Sequence, residues 1–351
     1  MIVLGIETSC DETAAAVVVD GTEALSNVVV SQIEVHREFG GVVPELASRK
    51  HVEAISMVIS KSLKDAGVDF GDIDAIAVTR GPGLIGALLV GIGVAKGLSL
   101  ALNKPICGVN HLHGHLFAVW LDNDQMEFPF VGMVVSGGHT TLFEVRSPLD
   151  IDVIGKTRDD AAGEAYDKVA KLLGLGYPGG AIIEKLSEGV SPDGLRFPRA
   201  LIEQGNLDFS FSGLKTAVLR QAEKVFGIHY DRSRPGSFHQ ITPEDPSAED
   251  QRTIRKIAAA FQDAVIDTLV SKLFMAVEIR KVSRLVVCGG VAANQALRNR
   301  IISEGHKREI KVILPSMSLC ADNAAMIGAR GNFLLQEGIV DSLGFGAKSR
   351  W

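Results

Sequence analysis

Short apolar runs separated by turn-forming residues open the chain. The runs at 2–7, 14–19 and 25–32 are rich in Val, Ile and Ala, and small polar residues lie between them. Runs of this length with such breaks are typical of β-strands joined by tight turns. The pattern therefore predicts a three-stranded meander at the start of the chain.

A helical period follows the meander. Apolar Ile55, Ile59 and Leu63 recur at four-residue steps within 43–67, and Gly67 is a typical helix end. We predict an amphipathic helix there, and then the following elements: a buried strand at 74–80, a glycine turn at 81–83, a helix to about Leu102 and a strand at 105–110.

The pattern restarts near residue 128, where two apolar runs flank a Ser-Gly-Gly turn. Later segments predict helices at 161–174, 180–188, 213–226 and 253–280, and strands at 284–290 and 311–315, each strand leading into a helix. The chain therefore reads as an α/β protein with two similar halves. We expect one lobe from 1–108 plus 325–351 and a second from 109–324 that carries most of the site.

The segment 229–251 lacks apolar periodicity and is rich in Pro, Ser and charge, so we expect a mobile loop there.

Composition narrows the class of protein. The chain has 351 residues, 46% hydrophobic content and a net charge of −6, so it is not a basic nucleic-acid-binding domain in bulk. Its four cysteines show no C-x-x-C spacing, which fits a reducing cytosol. Early acids argue against a signal peptide, and the apolar run 83–95 is short and broken by glycines, so we expect a buried helix. These features together predict a cytoplasmic protein.

Three histidines lie within five residues in VNHLHGHLFAV. His111 and His115 are four residues apart, so on a helix they share one face and can converge on one metal ion. An ordinary satisfied histidine pair is equally compatible with this spacing, and His113 would project elsewhere. Asp322, just before a later helix, is a candidate third ligand, although such a residue is also a typical helix N-cap.

Glycine turns supply candidate anion-binding sites. VVSGGHTTL at 134–142 and VVCGGVAANQ at 286–295 each place paired glycines after a buried strand. Their backbone N–H groups can approach a phosphate closely, and a helix N-terminus favours an anion, although a simple hairpin turn explains the first motif as well. The carboxylates of Asp167 and Glu184 would suit ribose hydroxyls, or they lie on solvated helix faces.

The motifs resemble, in order, those of the tRNA N(6)-adenosine threonylcarbamoyltransferase family, the Kae/Qri/TsaD group. The resemblance extends from about residue 2 to residue 346 and includes GIETSCDET, TRGPGLIGALLVG, NHLHGH, VSGGHT, DDAAGEAYDKVAKLLGLGYPGG, FSFSGLKT and CGGVAANQALR. It implies the two-lobed fold of actin-like ATPases, the ASKHA superfamily, with a duplicated mixed-sheet core and a nucleotide cleft.

The resemblance also implies roles for particular residues. His111, His115 and Asp322 match the family's metal ligands, usually iron and sometimes zinc. The nucleotide or substrate contacts would be Val134, Val135, Ser136, Gly137, Gly138, Asp167, Gly180, Glu184 and Asn294. Glu184 stands where the family often has Asp, and Glu12 lies where the family keeps acids near the active cleft. No side chain is predicted as a covalent nucleophile, and no catalytic residue is assigned.

The implied reaction moves threonylcarbamoyl from L-threonylcarbamoyladenylate, made by a separate synthase, to the N(6) amine of the adenosine beside the anticodon in tRNAs that read ANN codons. AMP leaves, and ATP or ADP is a further expected cleft ligand. The implied partners are tRNA, a TsaB-like paralogue and a TsaE-like ATPase. The densest basic stretch, 298–311, is a candidate tRNA contact, although a solvated helix face explains it as well.

Three other functions compete with this one. A small-molecule kinase of the same superfamily would leave the histidine pair unexplained, and γ-phosphate transfer rather than AMP release would reveal it. A zinc peptidase of the H-E-x-x-H kind would need a glutamate where this chain has Leu112. A non-catalytic scaffold would have lost the ligand set, which is complete here.

Overall fold

The computed structural model describes residues 1–123, 126–201, 203, 205–228, 241–243 and 245–350. Within these residues the strands are β1 Ile2–Glu7, β2 Glu12–Val19, β3 Glu23–Ser31, β4 Ala75–Gly81, β5 Ile106–Asn110, β6 Phe130–Val135, β7 Thr140–Val145, β8 Ile151–Lys156, β9 Arg284–Cys288 and β10 Lys311–Ile313. The α-helices are α1 Ile33–Arg37, α2 Pro44–Ala66, α3 Ile85–Leu102, α4 His111–Phe117, α5 Ala162–Leu172, α6 Gly179–Ser187, α7 Ser212–Phe226, α8 Ala248–Arg280, α9 Gln295–Lys307 and α10 Ala324–Gln336.

The first sheet has the strand order β3-β2-β1-β4-β5. Strands β1, β2 and β3 pair antiparallel, which confirms the predicted meander, and β4 joins β1 in parallel with β5 beyond it. Because β4 and β5 are parallel to β1, the carboxyl ends of all three strands lie at one edge of the sheet. Residues that follow these strands are thereby brought together.

The second sheet repeats this arrangement. Read in the direction β8-β7-β6-β9-β10, its strand order is the same as that of the first sheet, with β6 in the position of β1. As in the first sheet, the central strand pairs antiparallel with the next strand along the chain, β7, and parallel with a later one, β9. The duplicated mixed-sheet core predicted from the restart of the pattern is therefore present.

Alternating residues of the first sheet supply two apolar cores. Leu4 and Ile6 face helices α2 and α3 on one side, while Val3 and Ala16 face α10 on the other. Side chains alternate between the faces of a strand, so a central strand buried on both sides is apolar at nearly every position. This explains why β1 and β2 read as continuous apolar runs.

Helix α3 has the length and composition to cross a membrane, but such helices also occur in protein cores. Its inward residues Ala87, Leu88, Ile92 and Ala95 are buried in the core against the sheet. They agree with the predicted buried helix on that side. The opposite side of α3 exposes apolar residues.

The chain divides into two compact units whose bounds differ from the predicted lobes. Unit 1 comprises Met1–Phe128, Arg146–Ile151 and Ile313–Trp351, and unit 2 comprises Pro129–Val145 and Asp152–Val312. Residues 109–128 and 313–324 belong with the first unit because α4 packs on α10, and α10 covers the first sheet. All three candidate metal ligands therefore lie in unit 1, not in the second lobe as expected.

Several elements were missed or misplaced by the sequence analysis. The short helix α1 and the strand β8 were not predicted, and α8 begins at Ala248 rather than near 253. The expected loop at 229–251 is therefore wrong over 248–251, where Ser247 caps the helix by accepting a hydrogen bond from the Asp250 N–H. Residues 229–240 and 244 of that segment lie outside the described residues.

Candidate metal centre and nucleotide-binding residues

Helix α4 presents both candidate histidines on one side. It begins directly after β5, and the Asn110 side chain caps it by accepting hydrogen bonds from the backbone N–H groups of Leu112, at 2.9 Å, and His113, at 3.2 Å. A cap of this kind fixes where the helix starts and so fixes the register of its side chains. His111 and His115, one turn apart, are both buried and point to the same place.

Asp322 reaches the histidines because it is not the helix cap. The cap of α10 is Asn323, whose side chain accepts a hydrogen bond from the Met326 N–H at 3.0 Å. The Asp322 carboxylate, one residue earlier, is thereby free to face α4. Gly114 allows the two helices to approach, since a Cβ there would lie 2.9 Å from Cδ1 of Ile327.

The three side chains converge within one small volume. Oδ1 of Asp322 lies 3.0 Å from Nε2 of His115 and 3.5 Å from Nε2 of His111. One ligand atom from each residue lies within 4.8 Å of the others. The structure thus brings together the two imidazoles and the carboxylate that the sequence singled out, and they form a group that could bind a metal ion.

The donor set and its spacing suit a divalent transition metal. Two ligand atoms about 2.1 Å from one ion are about 3.0–3.4 Å apart at octahedral or tetrahedral angles. The two nitrogen–oxygen distances, 3.0 Å and 3.5 Å, are close to these values. Two imidazoles with one carboxylate, and positions left for other ligands, are typical of Fe²⁺ and Zn²⁺ sites. The residues present therefore fit the expected group.

Electrostatic coupling holds the three side chains together. Burial would lower the pKa of His111, but the carboxylates of Asp322 and Glu7 raise it well above its ordinary value. Burial would likewise raise the pKa of Asp322, but His111 and His115 lower it well below the usual range. A metal ion must displace a proton from His111, so metal binding weakens in acid.

The candidate centre has neighbours that the sequence analysis did not single out for it. Glu7, at the end of β1, lies 3.0 Å from Nδ1 of His111 through its Oε2, and Ser9 Oγ lies 3.2 Å from the same nitrogen. The available signal was an acid that ends an otherwise apolar strand. Glu12, which the resemblance did place near the active cleft, accepts a hydrogen bond from Ser31 Oγ at 3.1 Å. Burial with the nearby carboxylates of Asp11 and Asp322 raises the pKa of Glu12 well above the usual range.

In unit 2, the Ser-Gly-Gly turn lies beside the second glycine pair. β6 and β9 are parallel, and Val134 pairs with Cys288, so the turns after both strands lie at the same edge of the sheet. Val135 touches the second turn closely, because a Cβ at Gly289 would lie 2.5 Å from its carbonyl oxygen. Gly289 also has a φ of 92°, which favours glycine. Gly137 and Gly138 have open space where a Cβ would stand.

The predicted carboxylate contacts lie on helices that adjoin these turns. Ser136 accepts a hydrogen bond from the Gly163 N–H at 3.2 Å through its carbonyl oxygen, which joins the turn to the start of α5. Asp167 on the same helix accepts one from the Gly179 N–H at 2.7 Å, at the start of α6. Gly180 comes next in that helix, and its Cβ position is open.

Glu184 and Asn294 meet at the start of α9. Glu184 accepts a hydrogen bond from the Gln295 N–H at 2.6 Å. Asn294 is the helix cap, since its Oδ1 accepts from the Leu297 N–H at 2.9 Å while its Nδ2 donates to Gln262. The helix N-terminus expected to hold an anion is therefore already in contact with a carboxylate of this chain.

The basic stretch 298–311 is largely paired with acids. Arg300 contacts Asp267 at 3.1 Å, Lys307 contacts Glu304 at 2.8 Å, and Arg308 pairs with Glu278 across to α8. These contacts reduce the positive field that a phosphate backbone would meet. They favour the solvated helix face over the tRNA contact that we considered.

Comparison with solved structures defines the fold class. The chain is similar to component A of (R)-2-hydroxyglutaryl-CoA dehydratase from Acidaminococcus fermentans, with a TM-score of 0.55 and 15% identity over 95% of this chain and 98% of that one. Together with the two mixed five-stranded sheets, this likeness confirms the actin-like ATPase (ASKHA) fold class.

Sequence comparison defines the family. Residues 23–329 match the family model TsaD, tRNA N6-adenosine threonylcarbamoyltransferase. The chain is 50% identical over 347 residues to the tRNA N6-adenosine threonylcarbamoyltransferase of Clostridium beijerinckii, covering 99% of this chain and 96% of that protein. It is 49% identical over 351 residues to that of Syntrophus aciditrophicus, covering 100% and 97%. The chain belongs to the tRNA N6-adenosine threonylcarbamoyltransferase family, so it is a tRNA-modifying transferase, as the motifs predicted.

Proposed function

We propose that this transferase takes its threonylcarbamoyl group from L-threonylcarbamoyladenylate and passes it to the N(6) amine of the adenosine beside the anticodon, in tRNAs that read ANN codons. The amine attacks the carbamoyl carbon, the bond to the phosphate oxygen breaks, and AMP leaves. An aromatic amine is a weak nucleophile, so the reaction depends on placement and on stabilising the charge on the leaving phosphate.

The glycine turn of unit 2 suits the nucleotide part of the donor. The open Gly137 and Gly138 permit close approach of a phosphate to backbone N–H groups, and Ser136 supplies a hydroxyl. Asp167 and Glu184 would accept hydrogen bonds from ribose hydroxyls, with Gly180 leaving room beside them. Val134 and Val135 would position the turn, and Asn294 would fix the adjacent helix start.

His111, His115 and Asp322 would hold the metal, and their convergence is the observation that carries the proposal. Iron is the expected ion, with zinc as the alternative. When bound, such an ion supplies positive charge for phosphate or carbamoyl oxygens. The buried imidazoles and the partly buried carboxylate keep the ligand atoms fixed before substrate arrives, which lowers the cost of reorganisation. Leu112 leaves no general base where a zinc peptidase has one.

The outer side of α2 and α3 is the surface we propose for the TsaB-like paralogue. Its apolar residues Val52, Ile85, Leu89 and Leu100 are 63%, 45%, 54% and 72% exposed, and the two helices pack against each other. Exposed apolar groups on paired helices suit a partner that presents helices of its own. A TsaE-like ATPase completes the proposed set of partners. ATP or ADP is proposed as a further ligand of this chain's own nucleotide site, and we place the reaction in the cytoplasm, where tRNA is available.

A reconstituted transfer assay tests the proposal. Threonylcarbamoyladenylate, tRNA and this chain, with and without the two partners, should give modified tRNA and AMP in equal amounts. The double variant His111→Ala with His115→Ala should lose its bound metal. Its transfer activity should fall at least about a hundredfold, since the ligands act as a unit.

His306→Ala is the matched control, because His306 lies near the end of α9, in unit 2, and is not one of the candidate ligands. It should retain both the metal and the activity. Full transfer activity in the folded double variant would contradict the metal's role.

A further inference from the structure

Glu7 is a fully buried acid whose two carboxylate oxygens are both engaged. Its Oε2 accepts a hydrogen bond from Thr79 Oγ1 at 2.6 Å and lies 3.0 Å from Nδ1 of His111. Its Oε1 accepts from the backbone N–H of Ser9. The carboxylate is therefore held from two sides, by the strand β4 and by the turn after β1, with one direction left to face the imidazole.

The parallel pairing of β1 with β4 places these residues together. Ile6 pairs with Val78, so Glu7 and Thr79, the next residue on each strand, lie beside each other at the carboxyl edge of the sheet. α4 begins after β5, which follows β4 in the same sheet, and this brings His111 to that edge. The contact thus depends on sheet topology rather than on proximity along the chain.

The contact determines which His111 nitrogen is available to a metal. A carboxylate only accepts hydrogen bonds, so Nδ1, facing Glu7, carries the proton. Nε2 is then the nitrogen whose lone pair can bind an ion, and it is the one directed at Asp322, 3.5 Å away. Carboxylates that hold the second nitrogen of a metal-binding histidine fix the ring's orientation and increase its basicity.

His115 provides a contrast within the same site. Its Nε2 faces Asp322 at 3.0 Å, but its buried Nδ1 has no hydrogen-bond partner among the residues that the structure describes. Among the described residues, a carboxylate from outside the ligand set therefore orients His111 but not His115.

We infer that Glu7 is a positioning residue for the metal centre, which orients His111 and is itself held by Thr79 and Ser9. This inference rests on the proposed function, because it assumes that the three candidate ligands bind a metal ion. Glu7 touches neither the substrate nor the ion. Its effect is on metal affinity and on the geometry around the ion.

The test is the affinity of the full-length chain for Zn²⁺, measured at one neutral pH by competition with a coloured chelator. Glu7→Gln keeps the size of the side chain but offers His111 an amide in place of a carboxylate. It should weaken Zn²⁺ binding about 10- to 100-fold. Thr79→Val, which removes one hydrogen bond that holds Glu7, should weaken binding by a smaller factor. The visible bands of bound Co²⁺ should shift in Glu7→Gln.

Two controls separate this inference from a general loss of structure. Asp341→Asn changes a partly buried carboxylate of the same unit that contacts Arg80 and the Gly108 N–H, and it should leave Zn²⁺ affinity unchanged. Urea unfolding of each variant reports its stability, and Thr79→Val keeps the test available if Glu7→Gln does not fold.

Each outcome has a distinct meaning. If Glu7→Gln and Thr79→Val both bind Zn²⁺ within about twofold of the natural chain while His111→Ala loses binding, Glu7 has no positioning role although the metal centre stands. If the natural chain and His111→Ala bind Zn²⁺ alike, the proposed metal centre itself fails.

Discussion

Whether Asp322 can serve as a ligand depends on which of two neighbouring residues caps helix α10. Asp322 and Asn323 are both good helix caps, and the sequence cannot tell which of them caps α10. The structure gives the cap to Asn323, so the neighbouring carboxylate faces His111 and His115. The three residues that the motif resemblance singled out lie in one cluster, and the local geometry of this cap is what turns the carboxylate of Asp322 towards the two histidines.

The contacts of the Glu7 side chain could not be predicted from the sequence. Its partners Thr79 and His111 are 72 and 104 residues away along the chain. No spacing rule connects positions so distant, and only the pairing of β1 with β4 and the start of α4 place them together. The acid at the end of an apolar strand was visible, but its role depends on tertiary contacts.

Cys107 gives a prediction for alkaline pH. Burial, with a contribution from Asp341, raises the pKa of its thiol to about 12, against 9.0 for an exposed thiol. Between these values the unfolded chain loses a proton that the folded chain keeps, so stability falls as pH rises. Between pH 8 and pH 10 the natural chain should lose about 1–2 kcal/mol more unfolding free energy than Cys107→Ala.

Urea unfolding at the two pH values measures this difference, with Cys107→Ala at pH 8 giving the cost of the substitution itself. Equal losses in both chains would show that the thiol ionises as easily in the folded protein as in the unfolded one.

At the scale of elements, the strands and long helices follow from the apolar pattern. The meander, α2 and the strands that precede glycine turns were predicted because each has a clear period or a sharp turn. α1 has only five residues, which are too few to establish a helical period, and β8 has only one buried residue, so it lacks the apolar run that marks the other strands. The lobe boundaries also could not be read, since the packing of α10 on the first sheet joins residues more than 300 positions apart along the chain.

The close contact between β1 and α10 leaves no room for a side chain at Gly5. A Cβ at this position would lie 2.3 Å from the carbonyl oxygen of Ala324 and 2.7 Å from the backbone nitrogen of Gly328. Both neighbours are backbone atoms and cannot rotate away. Gly5→Ala should therefore lower the free energy of unfolding by about 1–3 kcal/mol or more.

Gly93→Ala is the matched control, because Gly93 lies inside α3 with open space around its Cβ position. This substitution should raise stability by about 0.5–1 kcal/mol through helix propensity. Thermal unfolding of both variants provides the comparison, and a Gly5→Ala chain as stable as Gly93→Ala would contradict the close approach of strand and helix.

At the scale of the whole molecule, two units with the same strand order carry different chemistry. Unit 1 has the histidine and aspartate cluster at the carboxyl edge of its sheet, and unit 2 has the glycine turns at the corresponding edge of its own. The repeated sheet order explains the actin-like fold, whereas the cluster agrees with membership of the tRNA-modifying family. Fold and family were both predictable from the sequence because long motifs occur in a fixed order over nearly the whole chain.

The metal centre is the central claim, and anomalous X-ray diffraction from crystals of the iron- or zinc-loaded chain tests it most directly. We predict one anomalous peak per chain, about 2.0–2.2 Å from Nε2 of His111, Nε2 of His115 and a carboxylate oxygen of Asp322. A peak elsewhere in the chain, or none between these three side chains, would contradict the account.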